Sequence, residues 1–184
     1  MKFLAILSIF LLCSTGITAQ ATLTSDDKKI LADFEMRTKK YSELREKIAS
    51  QVPALPKDAT PEQISANKTA LRSMLSQPRI NARQGDLITQ SADQLIRSMI
   101  KKEFKGYEAA EIRKTVWEID PKGILTKVNI PYPEGKEIVE MSPELLLMLP
   151  QLPKPLRYRY IGRNLAIIDR DTALIIDFMR DALP

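Results

Sequence analysis

The sequence contains no histidine and a single cysteine, Cys13. Zinc and copper sites are built mainly from histidine and cysteine side chains, so we predict no transition-metal site. The absence of histidine also excludes the Ser-His-Asp and Cys-His arrangements of nucleophilic catalysis. We therefore predict no metal and no cofactor, although carboxylates alone can bind a hard cation such as Ca²⁺.

The N-terminus has the pattern of a secretory signal peptide. An apolar run of about ten residues, Phe3–Leu12, follows a lysine and is too short to cross a bilayer. Ala19 and Ala21 supply the small residues that signal peptidase requires. We predict a signal peptide over 1–21, cleaved after Ala21 or, alternatively, after Ala19. An uncleaved anchor or a lipid on Cys13 fits less well, because leucines precede that cysteine.

Removal of residues 1–21 leaves a chain without cysteine, so no disulfide is expected even in an oxidising compartment. No later apolar run is long enough to form a transmembrane helix. The 28 Lys and Arg residues are interspersed with the 23 Asp and Glu residues, which is typical of a solvated surface. We predict a soluble protein secreted across the inner membrane into the periplasm, with no nucleic-acid partner.

Residues 22–119 carry the three- and four-residue apolar spacing of amphipathic helices. Ser25 is predicted to cap the first helix, and Thr60, Pro61 and Gln63 form a strong start signal for the second. The four predicted helices cover about 25–50, 61–77, 89–105 and 109–117. The faces predicted to be buried in the first two helices consist of Ile30, Phe34, Tyr41, Leu44 and Ile48, and of Ile64, Leu71, Met74 and Leu75.

Residues 120–184 begin with a Pro-rich connection and end with strand-like alternation. Strands are predicted at 124–130, 156–160, 165–168 and 173–178, with a short helix over 143–147. The turns between the last three strands are short, which favours an antiparallel meander. The predicted fold class is α+β, in which a bundle of about four helices packs with this sheet as one domain.

Arginine and tyrosine alternate in the first strand of the predicted meander. Tyr158 and Tyr160 share a face with an apolar residue and are predicted to enter the core. Arg157 and Arg159 then lie on the opposite, exposed face, with Arg163 in the following turn. These three arginines could bind an acidic partner or a charged envelope polymer, and we name them as the candidate binding residues, although a plain solvated strand face is the favoured interpretation.

The acidic cluster Asp169, Asp171 and Asp177 could hold Ca²⁺ or Mg²⁺ through its oxygens. No glycine-containing calcium loop follows it, and aspartate is an ordinary turn residue, so we favour turns. Asp86 follows Gly85 in a polar turn and could be a catalytic aspartate. A helix cap followed by a loop is the favoured interpretation of this turn.

Three segments, 82–86, 129–133 and 143–178, resemble an uncharacterised family of small exported proteins of Gram-negative bacteria. The resemblance covers most of the chain after residue 21 and implies export without indicating an activity. It is most specific in Tyr158-Arg159, Gly162-Arg163, Leu165, Asp169 and Ile176-Asp177-Phe178. The C-terminal order of a Pro-rich segment, a Tyr-Arg strand, a glycine turn and two apolar strands is also similar to a module of periplasmic nickel/cobalt-homeostasis proteins. Because residues 22–184 lack histidine and cysteine, this similarity implies only the antiparallel strand meander and no metal binding.

These features predict an exported, non-enzymatic binding or accessory protein whose partner is an envelope protein or an envelope polymer. The alternative is a carboxylate-based hydrolase of cell-wall or surface glycans, which needs a pocket with two carboxylates of separated pKa values. A third class, a membrane-surface protein, needs an exposed apolar patch beside Arg97 and Lys101 on the third helix. A bundle helix with a basic outer face is favoured over that class.

Overall fold

The computed structural model describes residues 23–103, 110, 114, 126–133, 141 and 143–182. The predicted signal peptide, 1–21, lies outside the described residues. The helix predicted over 109–117 also lies outside the described residues, except for residues 110 and 114. So do the first two residues of the strand predicted at 124–130.

Helix α1, Ser25–Ala49, is capped by Thr24 and not by Ser25 as predicted. The Thr24 hydroxyl accepts a hydrogen bond from the Asp27 N–H at 3.1 Å, and the Asp27 carboxylate accepts from the Thr24 N–H at 2.9 Å. This reciprocal pair needs an acceptor side chain three residues after the cap. A cap at Ser25 would place Lys28 there, which has no acceptor, and this explains the one-residue shift.

Helix α2, Pro61–Ser76, begins as predicted, with Thr60 and Gln63 exchanging hydrogen bonds in a capping box. Leu71 and Leu75 are buried, but Ile64 is 37% exposed, contrary to the prediction. Ile64 lies in the first turn of the helix, where it lines a hollow between α1, the linker that follows it and α2. The buried stripe therefore covers only the second half of α2.

Helix α3, Gln90–Glu103, starts after Thr89, whose hydroxyl accepts a hydrogen bond from the Ala92 N–H at 3.4 Å. A short helix, α4, Pro143–Met148, precedes the sheet. None of the helices in the described part of the chain has the length and apolar character needed to cross a membrane.

In the residues that the structure describes, the sheet has three antiparallel strands in sequential order, which confirms the predicted α+β class and the meander. The strands are β1, Leu156–Ile161, β2, Asn164–Asp169, and β3, Ile175–Met179. Leu156 lies opposite Asp169, and Leu165 lies opposite Met179. Gly162 has φ 57° in the turn between β1 and β2, a conformation that costs glycine little.

The prediction of a strand at 124–130 is wrong for residues 126–130, the part of this segment that the structure describes. Residues 128 and 129 form a turn in which Asn129 has φ 66°, which interrupts an extended backbone. The segment is nevertheless hydrogen-bonded to β3 without forming a regular strand, because the Asn129 N–H donates to the Ile175 carbonyl at 2.8 Å. The Asn129 amide also donates to the Ser76 carbonyl at 3.0 Å, so the turn is anchored on the end of α2.

The sheet is covered on both faces. The helices and one face share a core cluster that includes Phe34, Leu75, Ile96, Leu145 and Leu165. The second face carries a smaller cluster of Val128, Tyr132, Ile161, Ala166, Ile168, Ile175 and Phe178. Strands β2 and β3 therefore show continuous burial instead of alternation.

Tyr160 gives the first testable prediction. Its hydroxyl is buried and has no hydrogen-bond partner within the described chain. An unsatisfied buried hydroxyl costs free energy, so we expect Tyr160→Phe to raise the free energy of unfolding by about 1 kcal/mol in urea titrations. The matched control is Tyr158→Phe, because the Tyr158 hydroxyl donates to the Pro150 carbonyl at 2.8 Å. That variant should lose stability, and equal losses in both variants would contradict the prediction.

Candidate functional site

A cleft of about 310 Å³ lies beside β1. One wall consists of β1 residues together with Arg170, which follows β2. The rest of the lining comes from α4 and the Pro-rich segment after it, and includes Leu146, Pro150 and Leu152. The cleft thus combines basic and apolar lining residues.

The alternation of β1 explains how two arginines reach this cleft. Tyr158 and Tyr160 are buried in the core cluster, which agrees with the interpretation of the sequence. Arg157 and Arg159 lie on the other face and line the cleft together. They are half-buried and not fully exposed as predicted, because the second face of the sheet is itself covered by an apolar cluster.

The arginines of the cleft lie close to the backbone of β1. Arg159 Nη1 donates to the Tyr158 carbonyl at 3.0 Å, and Arg170 Nε donates to the Leu156 carbonyl at 3.3 Å. The Nε of Arg157 is buried and finds no acceptor within the described chain. The described lining contains three arginines and no acidic residue, so the cleft suits a carboxylate or another planar anion.

Arg163, the third predicted binding residue, does not line this cleft. It lies in the turn between β1 and β2, where its Nε is 3.3 Å from Asp181 Oδ1. Its carbonyl accepts from the Ala182 N–H at 2.8 Å, which joins the turn to the C-terminal end of the sheet. The structure therefore brings together Arg157 and Arg159 but leaves Arg163 at the far end of the strand.

Arg170 is the cleft residue that the sequence interpretation missed. The register of the hairpin pairs Leu156 with Asp169, and the Arg170 N–H donates to the Pro155 carbonyl at 2.8 Å. In a hairpin, residues at equal distances on either side of the turn lie opposite one another. The turn at Gly162 therefore predicts that Arg170 lies beside the start of β1.

Asp177 is fully buried and accepts four backbone hydrogen bonds. The N–H groups of Gly85, Leu87, Ile88 and Phe178 donate to it at 2.8 to 3.0 Å. Burial raises the pKa of this carboxyl, while the four N–H groups act in the opposite direction. Asp177 thereby attaches the 85–88 loop to β3.

Asp169 is the second buried carboxylate. It accepts from the Tyr41 hydroxyl at 3.0 Å, from Arg45 Nε at 3.2 Å and from the Thr172 hydroxyl at 2.8 Å. Asp171 is exposed and forms an ion pair with Arg45. This network joins α1 to the turn between β2 and β3.

These aspartates do not form a metal site or an open catalytic pair. The described residues contain no group of three or more histidine, cysteine or acidic side chains that could hold a metal ion. Asp86 is exposed and accepts from the Arg83 N–H at 2.8 Å within its own turn. Asp169 and Asp177 have no exposed surface, which gives them the role of internal acceptors.

Arg97, one of the basic residues of α3, is hydrogen-bonded to the residues that follow β3. Arg97 forms an ion pair with Asp93 and donates to the carbonyls of Arg180 and Asp181 at 2.6 and 2.7 Å. Among the described residues of α3, Ile96 and Ile100 are buried. This arrangement favours the bundle-helix interpretation of α3 over a membrane-surface helix.

A wider hollow of about 760 Å³ lies between the end of α1, the following linker and α2. Leu55 and Ile64 line it together with Arg45 and Lys68. Arg45 is already engaged by two aspartates, so this hollow lacks the excess of positive charge that marks the cleft at β1.

No family model, curated protein sequence or solved structure matches this chain. What the cleft can bind follows from its own geometry and charge. Its described lining combines three arginines with apolar side chains, so the cleft is basic and partly apolar.

Proposed function

We propose that this chain is an exported, non-enzymatic binding or accessory protein that holds an anionic envelope partner in the cleft beside β1. The observation that carries this proposal is the cleft itself, which is lined by Arg157, Arg159 and Arg170. Arg157 and Arg159 are half-buried and Arg170 is exposed, and guanidinium groups in such a site favour carboxylate ligands.

Export to the periplasm is the second part of the proposal. It is supported by the signal-like pattern of residues 1–21 and by the resemblance to small exported proteins. An envelope protein or an envelope polymer with carboxylate groups is then the partner class that this cleft would meet. The alternative, a carboxylate-based envelope hydrolase, has less support because Asp169 and Asp177 are buried acceptors.

The arginine cleft can be tested with labelled poly-L-glutamate as a defined carboxylate polymer. We expect Arg157→Gln combined with Arg159→Gln to weaken binding by about a hundredfold, since each lost charge-assisted contact costs about 1.4 kcal/mol. The measurement is fluorescence anisotropy at several salt concentrations, with circular dichroism to verify folding.

The matched control is Arg163→Gln, which removes an arginine of the same strand-turn unit that lies outside the cleft. This variant should bind like the parent protein. Equal binding by the folded double variant and the parent protein, or an equal loss in Arg163→Gln, would exclude the cleft as the binding site. Crosslinking of the parent and double-variant proteins in the native envelope fraction would then identify the physiological partner.

A further inference from the structure

The outer side of α4 exposes three consecutive apolar side chains. Leu146 is 42% exposed, Leu147 is 87% exposed and Met148 is 36% exposed. Among the residues that the structure describes, Leu147 is the most exposed of the large apolar side chains. Single exposed apolar side chains are ordinary on a protein surface, whereas a contiguous apolar patch marks an interaction site. We call these three residues the α4 tip.

The packing of α4 fixes the direction in which the tip points. Leu145 and Leu149 lie about one helical turn apart and both belong to the main core cluster. The Leu149 N–H donates to the Leu145 carbonyl at 3.1 Å, which closes this turn. Successive helix residues lie about 100° apart around the axis, so residues 146–148 face away from the core. The tip could enter this core only if Leu145 and Leu149 left it.

Two exposed basic residues, Lys154 and Arg170, lie next to the tip. The Arg170 N–H donates at 2.8 Å to the carbonyl of Pro155, the residue that follows Lys154, so the two basic residues are close together. Leu146 and Arg170 line the same cleft, which makes the tip and this basic pair neighbours. Asp171 follows Arg170 in the chain, but its carboxylate is engaged in an ion pair on the side of α1.

Going beyond the proposed function, we infer that the α4 tip docks the protein on an anionic membrane surface. The apolar side chains of the tip would enter the boundary between the lipid headgroups and the acyl chains. Lys154 and Arg170 would contact the lipid phosphates. Both contributions matter, because stable attachment to a membrane surface generally takes two such signals.

A lipid surface fits the α4 tip better than a protein partner does. Each side of a stable protein interface contributes about 20 residues, whereas the tip offers three side chains of a six-residue helix. Shallow insertion into a bilayer needs no complementary pocket or groove. A second copy of this chain is a poorer occupant, since two copies packed tip to tip would bring their basic pairs together.

Vesicle flotation of the purified protein tests this inference. Vesicles of phosphatidylcholine alone are compared with vesicles of phosphatidylcholine and phosphatidylglycerol, and the protein should bind the anionic vesicles at least about tenfold more tightly. Leu147→Ser should weaken this binding at least about tenfold, because its apolar groups no longer enter the lipid. Lys154→Gln should weaken it about fivefold through the loss of one charge near the surface. The matched control is Ile80→Ser, since Ile80 is 74% exposed but lies after α2, and this variant should bind like the parent protein.

A fluorescent label provides the second readout. In a Cys13→Ser background the chain has no other cysteine, so Leu147→Cys and Ile80→Cys each carry a single environment-sensitive nitrobenzoxadiazole dye. With anionic vesicles, the emission of the dye at residue 147 should shift to shorter wavelength and be quenched by spin-labelled lipid. The dye at residue 80 should show neither change.

Equal vesicle binding by the folded Leu147→Ser variant and the parent protein would overturn the inference. Equal binding to both kinds of vesicle, or equal responses of the two dyes, would also overturn it. Binding of poly-L-glutamate without binding of vesicles would overturn membrane docking and leave the proposed function intact, and the absence of both would overturn both proposals. Self-association of the parent protein that is lost in Leu147→Ser, measured by analytical ultracentrifugation, would assign the tip to a second copy and overturn membrane docking.

Discussion

Replacing Asp177 with alanine is expected to lower the free energy of unfolding by about 4 kcal/mol. The carboxylate accepts four backbone hydrogen bonds in a position without solvent access. Removal of both oxygens leaves these N–H groups buried without their acceptor, which costs about 1 to 3 kcal/mol for each group that water cannot reach.

The location of Asp177 increases the expected effect. Three of its four donors belong to the 85–88 loop, in which Gly85 has φ 94° and donates its N–H at 3.0 Å. Arg79 lies nearby, with its guanidinium 5.1 Å from the ring centre of Tyr41 and bonded to the Ile176 carbonyl. Burial lowers the pKa of Arg79, while the proximity of Tyr41 and Asp177 acts in the opposite direction. Loss of the Asp177 charge would therefore also affect Arg79.

Urea or guanidinium titrations followed by circular dichroism would measure this effect. The matched control is Asp58→Ala, because Asp58 is exposed, and its change should stay within about 0.5 kcal/mol. Asp177→Asn keeps one oxygen but turns an amide donor toward two N–H groups, so a loss of about 2 kcal/mol is expected. A loss below about 1 kcal/mol for the alanine variant would show that Asp177 does not anchor the loop.

A steep loss of stability in alkaline solution is the second large effect that we expect. Burial raises the pKa values of the Tyr41, Tyr158 and Tyr160 hydroxyls above their ordinary value, and the nearby Asp169 raises that of Tyr41 further. Arg79 and Arg45 oppose this rise at Tyr41 without cancelling it. These hydroxyls therefore stay protonated in the folded protein at a pH where they ionise in the unfolded chain.

The direction in which pH changes the free energy of unfolding follows from proton binding. Above pH of about 10 the unfolded chain releases tyrosine protons that the folded chain keeps, so the free energy of unfolding falls as the pH rises. Each buried tyrosine contributes about 1.4 kcal/mol per pH unit, and three contribute about 4 kcal/mol per pH unit. Below that range their contribution to stability is fully present.

The measurement is a set of denaturant titrations between pH 8 and pH 11.5, combined with tyrosinate absorbance. Unfolding and the rise in absorbance should coincide. Tyr160→Phe should reduce the alkaline slope by about 1.4 kcal/mol per pH unit, because it removes one of the linked tyrosine protons. A slope unchanged by this substitution, or tyrosine ionisation well before unfolding, would contradict the proposed linkage.

Much of the fold follows from local sequence patterns. The Thr60-Pro61-Gln63 start signal predicts the capping box of α2, since all the groups involved lie within one turn. The alternation of Leu156, Tyr158 and Tyr160 with arginines predicts which side of β1 is buried. Short turns predict the antiparallel meander, because only neighbouring strands can be joined so closely.

The errors arise where local signals compete or are overridden. Both Thr24 and Ser25 can cap a helix, and the choice depends on which residue lies three positions later. The apolar alternation at 124–130 resembles a strand, but the turn at Asn129 is stabilised by contacts with α2 and β3. Period-two spacing alone does not separate a strand from an irregular segment laid against a sheet.

The sequence by itself determined the start of α2, the buried side of β1, the order of the strands and the absence of histidine chemistry, because these depend on residues close together in the chain or on composition. Only the tertiary structure decided that Asp169 and Asp177 are internal acceptors, since their partners Tyr41 and Ile88 lie 128 and 89 residues away. It also decided that Arg170 joins Arg157 and Arg159 while Arg163 stays apart. Which side chains meet across such separations is set by packing and strand register, which no short stretch of sequence contains.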